Sequence, residues 1–201
     1  MKQIIPCLLA LVLVLQANAQ SAKYLPAMEP KVASMDTTRT PAGWQELGNG
    51  FERIADAEQT QWLPYYYAAV SNVMMGYMLS NGAQGTANST QTDQLADKAE
   101  AMLNKAEAFE KDNSDIYCVK KMIATLRMMA DPMTRYQTYG PQAAEALAKA
   151  KTLDPNNPRV YLLEGQDKFF TPEQFGGSKT EAKALFEASI KKFEERSEER
   201  R

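Results

Sequence analysis

Apolar residues recur along this chain at helical spacing, and the same spacing returns from one segment to the next. Ala143, Leu147, Ala150 and Leu153 follow at intervals of four, three and three, which places them on one face of a helix. Asp154-Pro155-Asn156-Asn157-Pro158 then closes that helix. Pro155 cannot continue it, Asp and Asn suit a turn, and Pro158 can open the next helix because a first-turn amide needs no partner. Shifting the sequence by 44 residues aligns 99–117 with 143–161 without a gap and gives six identities in nineteen pairs. Leu103/Leu147, Ala106/Ala150, Asn113/Asn157 and Tyr117/Tyr161 are among them. Chance would give about one, so the chain repeats itself.

The frame extends both ways. Leu47, Phe51 and Ile54 reproduce the four-then-three spacing, as do Ala182, Phe186 and Ser189. Tyr65, Tyr117 and Tyr161 each lie 18 residues after Leu47, Ala99 and Ala143, so one kind of connection has fixed length. The pattern predicts an all-α chain of about seven helices, near 42–58, 62–80, 92–112, 114–130, 138–153, 157–170 and 179–197. The other connections vary, and their surplus residues fall around Asn81–Thr90, Asp131–Gly140 and Thr171–Ser178, expected to be loops on one edge of a stack. Residues 20–41, interrupted by Pro26, Pro30 and Pro41, read as an extended N-terminal arm. Residues 198–201 form a charged tail. The small residues Ala99, Ala106, Ala143 and Ala150 are expected where paired helices approach closely.

This unit of helix, tight turn and helix resembles the tetratricopeptide repeat, whose second helix carries small-x3-large-x2-small before a proline-marked turn. Trp44-x2-Leu47-Gly48-x2-Phe51 fits the family's first-helix pattern instead, but the 18-residue spacing favours reading 42–58 as a second helix. The resemblance covers 42–197 and implies an α-α superhelix of helix pairs. It also implies a concave groove lined by the first helices: Leu63, Tyr66, Val70 and Val73, then Asp115, Cys118, Met122 and Thr125, then Arg159, Leu162, Gln166 and Phe169. The Lys and Asn of the family's carboxylate clamp are absent from that set. Apart from Arg159 the implied groove is largely apolar, and an apolar face must be covered. Either a partner protein or peptide occupies it, or the arm segment Tyr24–Met28 does. Tyr136, Tyr139 and Phe175, in the surplus segments, are candidate contacts on the loop edge.

Composition narrows the chemistry. With 44% hydrophobic residues the chain can bury a core in one domain. Lys2, the apolar run Ile4–Leu15 and Ala17-Asn18-Ala19 read as a signal peptide over 1–19, cleaved near Ala19–Gln20, so the expected location is periplasmic or extracellular. Without Lys2 there are 23 − 1 = 22 basic residues against 25 acidic, a balance of −3 that offers no basic face for nucleic acid. No membrane span is expected in the mature chain. Cys118 is then the lone cysteine, which excludes an internal disulfide.

The sequence contains no histidine, which removes the usual general base and the commonest metal ligand together. No phosphate-binding glycine loop occurs, and Asp112-Asn113-Ser114-Asp115 reads as a helix cap rather than a calcium loop. The methionines, Met74, Met75, Met78, Met122, Met128, Met129 and Met133, read as core filling rather than copper ligands. Tyr65-Tyr66-Tyr67 must point three ways from one helix, which predicts at least one ring outside the core. No catalytic residue, metal site or cofactor is assigned. The reading is a non-catalytic interaction scaffold, with a binding protein for a small apolar ligand as the alternative and an enzyme without histidine as the third.

Overall fold

The structure, a computed structural model, describes residues 21–81 and 89–199, so the expected cleavage site lies outside the described residues, as does most of the first surplus segment. Eight α-helices follow one another with no strand among the described residues: α1 (Tyr24–Met35), α2 (Pro41–Glu58), α3 (Trp62–Asn81), α4 (Ser89–Phe109), α5 (Ser114–Met129), α6 (Pro132–Leu153), α7 (Pro158–Phe170) and α8 (Lys179–Glu199). Each helix packs chiefly on its sequence neighbour, and α3, α5 and α7 also touch one another in turn. Thus α3, α5 and α7 form an inner row, and α2, α4, α6 and α8 an outer one.

Local chemistry sets the boundaries. Thr40 Oγ1 accepts from the Gly43 amide at 3.1 Å and Pro41 opens α2, while Gln59, at φ 49°, ends it. Two of the three hinges of fixed length share one device. Asn113 Oδ1 accepts from the Asp115 and Ile116 amides, at 2.8 and 3.3 Å, and Asn157 Oδ1 accepts from the Arg159 amide at 2.9 Å. Between α7 and α8 the chain turns so tightly that a Cβ on Gly177 would lie 1.8 Å from the Thr171 carbonyl oxygen. Only glycine fits there.

The core comes in successive patches, as expected when each layer buries its apolar face on the next. Tyr24 and Met28 pack with Trp44, Phe51 and Ala68 across α1–α3. Val73, Leu103, Val119 and Leu126 join α3, α4 and α5, and Leu147, Val160 and Leu163 join α6 and α7 to Cys118. Ala99, Ala106 and Ala150 are fully buried at the helix contacts, where any larger side chain would push the pair apart.

Four expectations are corrected. Residues 24–35 are helical rather than extended: Pro26 lies in the first turn, where its missing amide costs nothing, and the helix carries Pro30 inside it. Tyr24–Met28 does not run along the groove: its cluster reaches the groove-lining set only at Leu63 of α3 and includes no residue of α5 or α7. The segment Asp131–Gly140 is not a loop. Asp131 caps α6, accepting from the Thr134 amide at 3.4 Å, and Pro132 starts a helix that runs through Pro141. Finally, none of the three tyrosines lies outside the core. Tyr65 and Tyr66 are buried, and the half-buried Tyr67 stacks on Phe51 at 5.2 Å, because α3 has helices on several sides.

Candidate functional site

The inner row brings the sequence-derived positions to one side of the stack, but at different depths. Tyr66 and Cys118 are buried, so they lie behind the surface rather than on it. Val70, Met122, Leu162 and Gln166 are half-buried, and Phe169 is exposed. The accessible strip is thus narrower than the one expected. Burial pushes the Cys118 thiol up to about 12, aided by the Asp115 carboxylate. Burial also raises Tyr66, against the pull of Arg159.

Arg159, expected as the cation of the groove, is committed to a polar knot. The Asp115 carboxylate accepts from Asn157 Nδ2 at 2.7 Å and from Arg159 Nη1 at 3.2 and 3.3 Å, and Arg196 of α8 approaches it to 3.6 Å. Asn157 Nδ2 also donates to Ser114 Oγ, which donates to the Ala150 carbonyl, both at 2.8 Å. Four helices meet in this network. Burial opposes the charge on Arg159, yet Tyr66 and Asp115 hold its pKa above the ordinary value.

Further along the inner row a second polar group forms. Lys121 is buried to 3% exposure and meets Asp167 of α7 at 2.6 Å, and Tyr77 donates to the Met122 carbonyl at 2.8 Å. Sequence reasoning missed Lys121; its only signal was a lysine at a position one residue from the groove-lining Met122. Beyond it lies an aromatic end. Phe169 meets Phe170 edge-on at 5.1 Å, Lys179 sits 3.6 Å from the Phe169 ring centre, and Phe170 and Phe175 are 76% and 74% exposed. Phe170 was missed because a helix-terminal residue falls outside the repeat pattern. Tyr136 is exposed and Tyr139 half-buried on the first turns of α6, which Arg135 fastens to Asp93 of α4 through bonds of 2.6 and 2.8 Å.

Two hollows lie on the other side of α5. The larger, about 470 Å³, runs between α4 and α6 with Leu103, Ile123, Ala124 and Ala146 beneath charged rims. A second, about 420 Å³, adjoins it at Asn104 and Tyr117. No group of three or more potential metal-ligating His, Cys, Asp or Glu side chains occurs among the described residues, and no described helix is long and apolar enough to cross a membrane.

The fold matches the solved structure of the HusA haemophore from Porphyromonas gingivalis with a TM-score of 0.73. The two sequences are 34% identical over 88% of this chain and 83% of the haemophore. The chain belongs to the HusA haemophore family. No protein-family model matches the sequence. No curated protein matches it either. Membership agrees with the all-α architecture of the described residues.

Proposed function

We propose that this protein is an exported, non-catalytic binder of a haem-class tetrapyrrole, cleaved near Ala19–Gln20. The observation that carries the reading is the 34% identity to a haemophore across 83% of its length. The half-buried Val70, Met122 and Leu162, with Gln166 beside them and the exposed Phe169 at the end, offer a mostly apolar strip along α3, α5 and α7. Such a ring is largely apolar, and its burial against aliphatic and aromatic groups supplies the driving force. Because the chain has no histidine, binding rests on ring contact rather than on an imidazole–iron bond.

Titration of the mature chain with haemin and with metal-free protoporphyrin, read by the Soret band and by quenching of Trp44, Trp62 and tyrosine emission, tests this. Both ligands are expected to bind saturably, with affinities within about tenfold of each other, a difference near 1.4 kcal/mol. Failure of both to saturate by about 100 μM, weaker than roughly 5.5 kcal/mol, overturns the reading.

A second reading, a tetratricopeptide-like scaffold for a protein or peptide, is favoured by the exposure of Met133 (93%), Tyr136 (65%) and Phe175 (74%). Large apolar side chains held this far into solvent are ordinary interface anchors.

A further inference from the structure

The 470 Å³ hollow between α4, α5 and α6 is of the size that holds small organic ligands, and it lies on the opposite side of α5 from the strip discussed above. Its floor is carbon: Leu103, Ile123, Ala124 and Ala146. At one end the Tyr117 ring is flanked by two ammonium groups, Lys120 at 4.6 Å and Lys149 at 5.9 Å from its centre. Lys120 contacts Glu107 at 2.6 Å, whereas Lys149 has only a loose approach to Asp112 at 3.7 Å and is 44% exposed. Arg127 at the other end is neutralised by Asp97 and Glu100, both at 2.8 Å. Glu145 also lines the hollow.

The internal duplication supplies a control within the same molecule. Shifting by 44 residues takes Lys120, Ala124 and Arg127 of α5 to Glu164, Lys168 and Thr171. Aligning Ala143 with Ala182 takes Ala146 and Lys149 of α6 to Leu185 and Ala188. In the later layer a leucine thus stands where Ala146 leaves room, and Lys168 bridges to Glu181 at 2.6 Å over the position of Ala124. Tyr161 also has two ammonium groups near its ring, Lys151 at 5.9 Å and Lys192 at 4.8 Å, but from other positions, since Lys120 becomes an acid and Lys149 an alanine. The hollow of the earlier layer is thus open, carbon-floored and cationic at one end, whereas the later layer carries bulkier side chains at the positions corresponding to Ala124 and Ala146.

We propose that this hollow is a second binding site, for an amphipathic organic anion whose apolar body lies on Leu103, Ile123 and Ala146. Its carboxylate or sulfonate head sits between Lys120 and Lys149, beside Tyr117. Desolvation of the body and charge-assisted bonds to two ammonium groups act together, and the head group finds Lys149 without having to displace a close ion pair. The site is independent of tetrapyrrole capture on the inner row.

The test uses the aromatic sulfonate 1-anilinonaphthalene-8-sulfonate as probe on the full mature chain, followed by backbone amide shifts. Shifts are expected to concentrate in residues 100–104, 117–127 and 142–149. Ala146→Leu, which installs the residue the next layer already carries, is expected to weaken binding at least about tenfold. Lys120→Gln with Lys149→Gln is expected to weaken it about fivefold or more and to flatten its salt dependence. Haemin binding is expected to stay unchanged in both variants. Shifts centred elsewhere, no shifts at millimolar probe, or unaltered affinity in Ala146→Leu would overturn the proposal. If Ala146→Leu unfolds by circular dichroism, the double lysine variant decides: unchanged affinity there refutes it equally.

Discussion

Replacing Asp115 by alanine probes how much of the C-terminal half depends on one carboxylate. The change removes the acceptor of a 2.7 Å bond from Asn157, two contacts from Arg159 and the approach of Arg196. A hydrogen bond to a charged group is worth about 1.5–3 kcal/mol, and breaking a fully buried ion pair costs about 3–5 kcal/mol. Arg159 and Arg196 keep 34% and 33% side-chain exposure, so water takes over part of what the carboxylate provided. The expected loss is therefore about 2–3 kcal/mol, nearer the hydrogen-bond figure than the buried-pair one. At roughly 2–4 °C per kcal/mol for a chain of this size, the melting temperature should fall by about 4–12 °C. Circular dichroism at 222 nm measures it. Asp115→Asn, which keeps an acceptor, should lose less, and Arg159→Met should recover part of the loss in the alanine background. A change below about 0.5 kcal/mol, the range of an ordinary surface substitution, would refute the view that this knot couples α5, α7 and α8.

Other outcomes follow from the same geometry. Cys118, buried and with its thiol pushed up to about 12, should not react with a disulfide reagent at pH 8 until the protein is unfolded, as a thiol-release assay would show. The bonds from Arg135 hold the Asp93 carboxyl below its ordinary range. The stabilisation they give is present above the unfolded carboxylate value, near about 4, and is lost as the pH falls through the lowered one. Asp93→Asn should accordingly make the melting temperature less sensitive to acid below about pH 4. Gly165→Ala should destabilise by about 1–3 kcal/mol in urea melts, because its Cβ would lie 2.6 Å from the Phe186 ring and 3.3 Å from Leu185 Cβ. Gly76→Ala meets both methyls of the fully buried Leu126, at 2.6 and 2.9 Å, and its Cγ at 3.3 Å, and should cost a similar amount.

Much of the fold was legible because repetition amplifies a weak signal: Leu103/Leu147 and Ala106/Ala150 mark the same buried contacts in successive layers. The helix starting at Pro132 was not legible, because glycine and proline at 140 and 141 looked like a break. A helix tolerates Pro141 when the preceding turn is exposed and loses few tertiary contacts. The arm was misread for a related reason, since Tyr24 and Met28 are too few to show a period and take their burial from α2. At the inner row, spacing told which helix face each residue occupies but not its depth. Tyr66 and Cys118 vanish under neighbours whereas Phe169 protrudes, and for Cys118 that depends on what α6 and α7 place around it. Ion pairs such as Lys121–Asp167 join residues 46 apart, beyond the reach of any local pattern.

Asn157 caps its own helix through Oδ1 and, through Nδ2, holds Ser114 and Asp115 in the layer before. Serving both partners fixes where this side chain must stand, to within a fraction of a residue's rise. One amino acid added to that hinge would cost the cap or the cross-layer bonds. On the far edge Tyr65, Tyr117 and Tyr161 are followed by intervals of 34, 26 and 21 residues to Ala99, Ala143 and Ala182, and no side chain among the described residues of those turns has such a double duty. The chain therefore has one margin on which its length can drift over generations, or be extended by hand, and another on which every residue is counted.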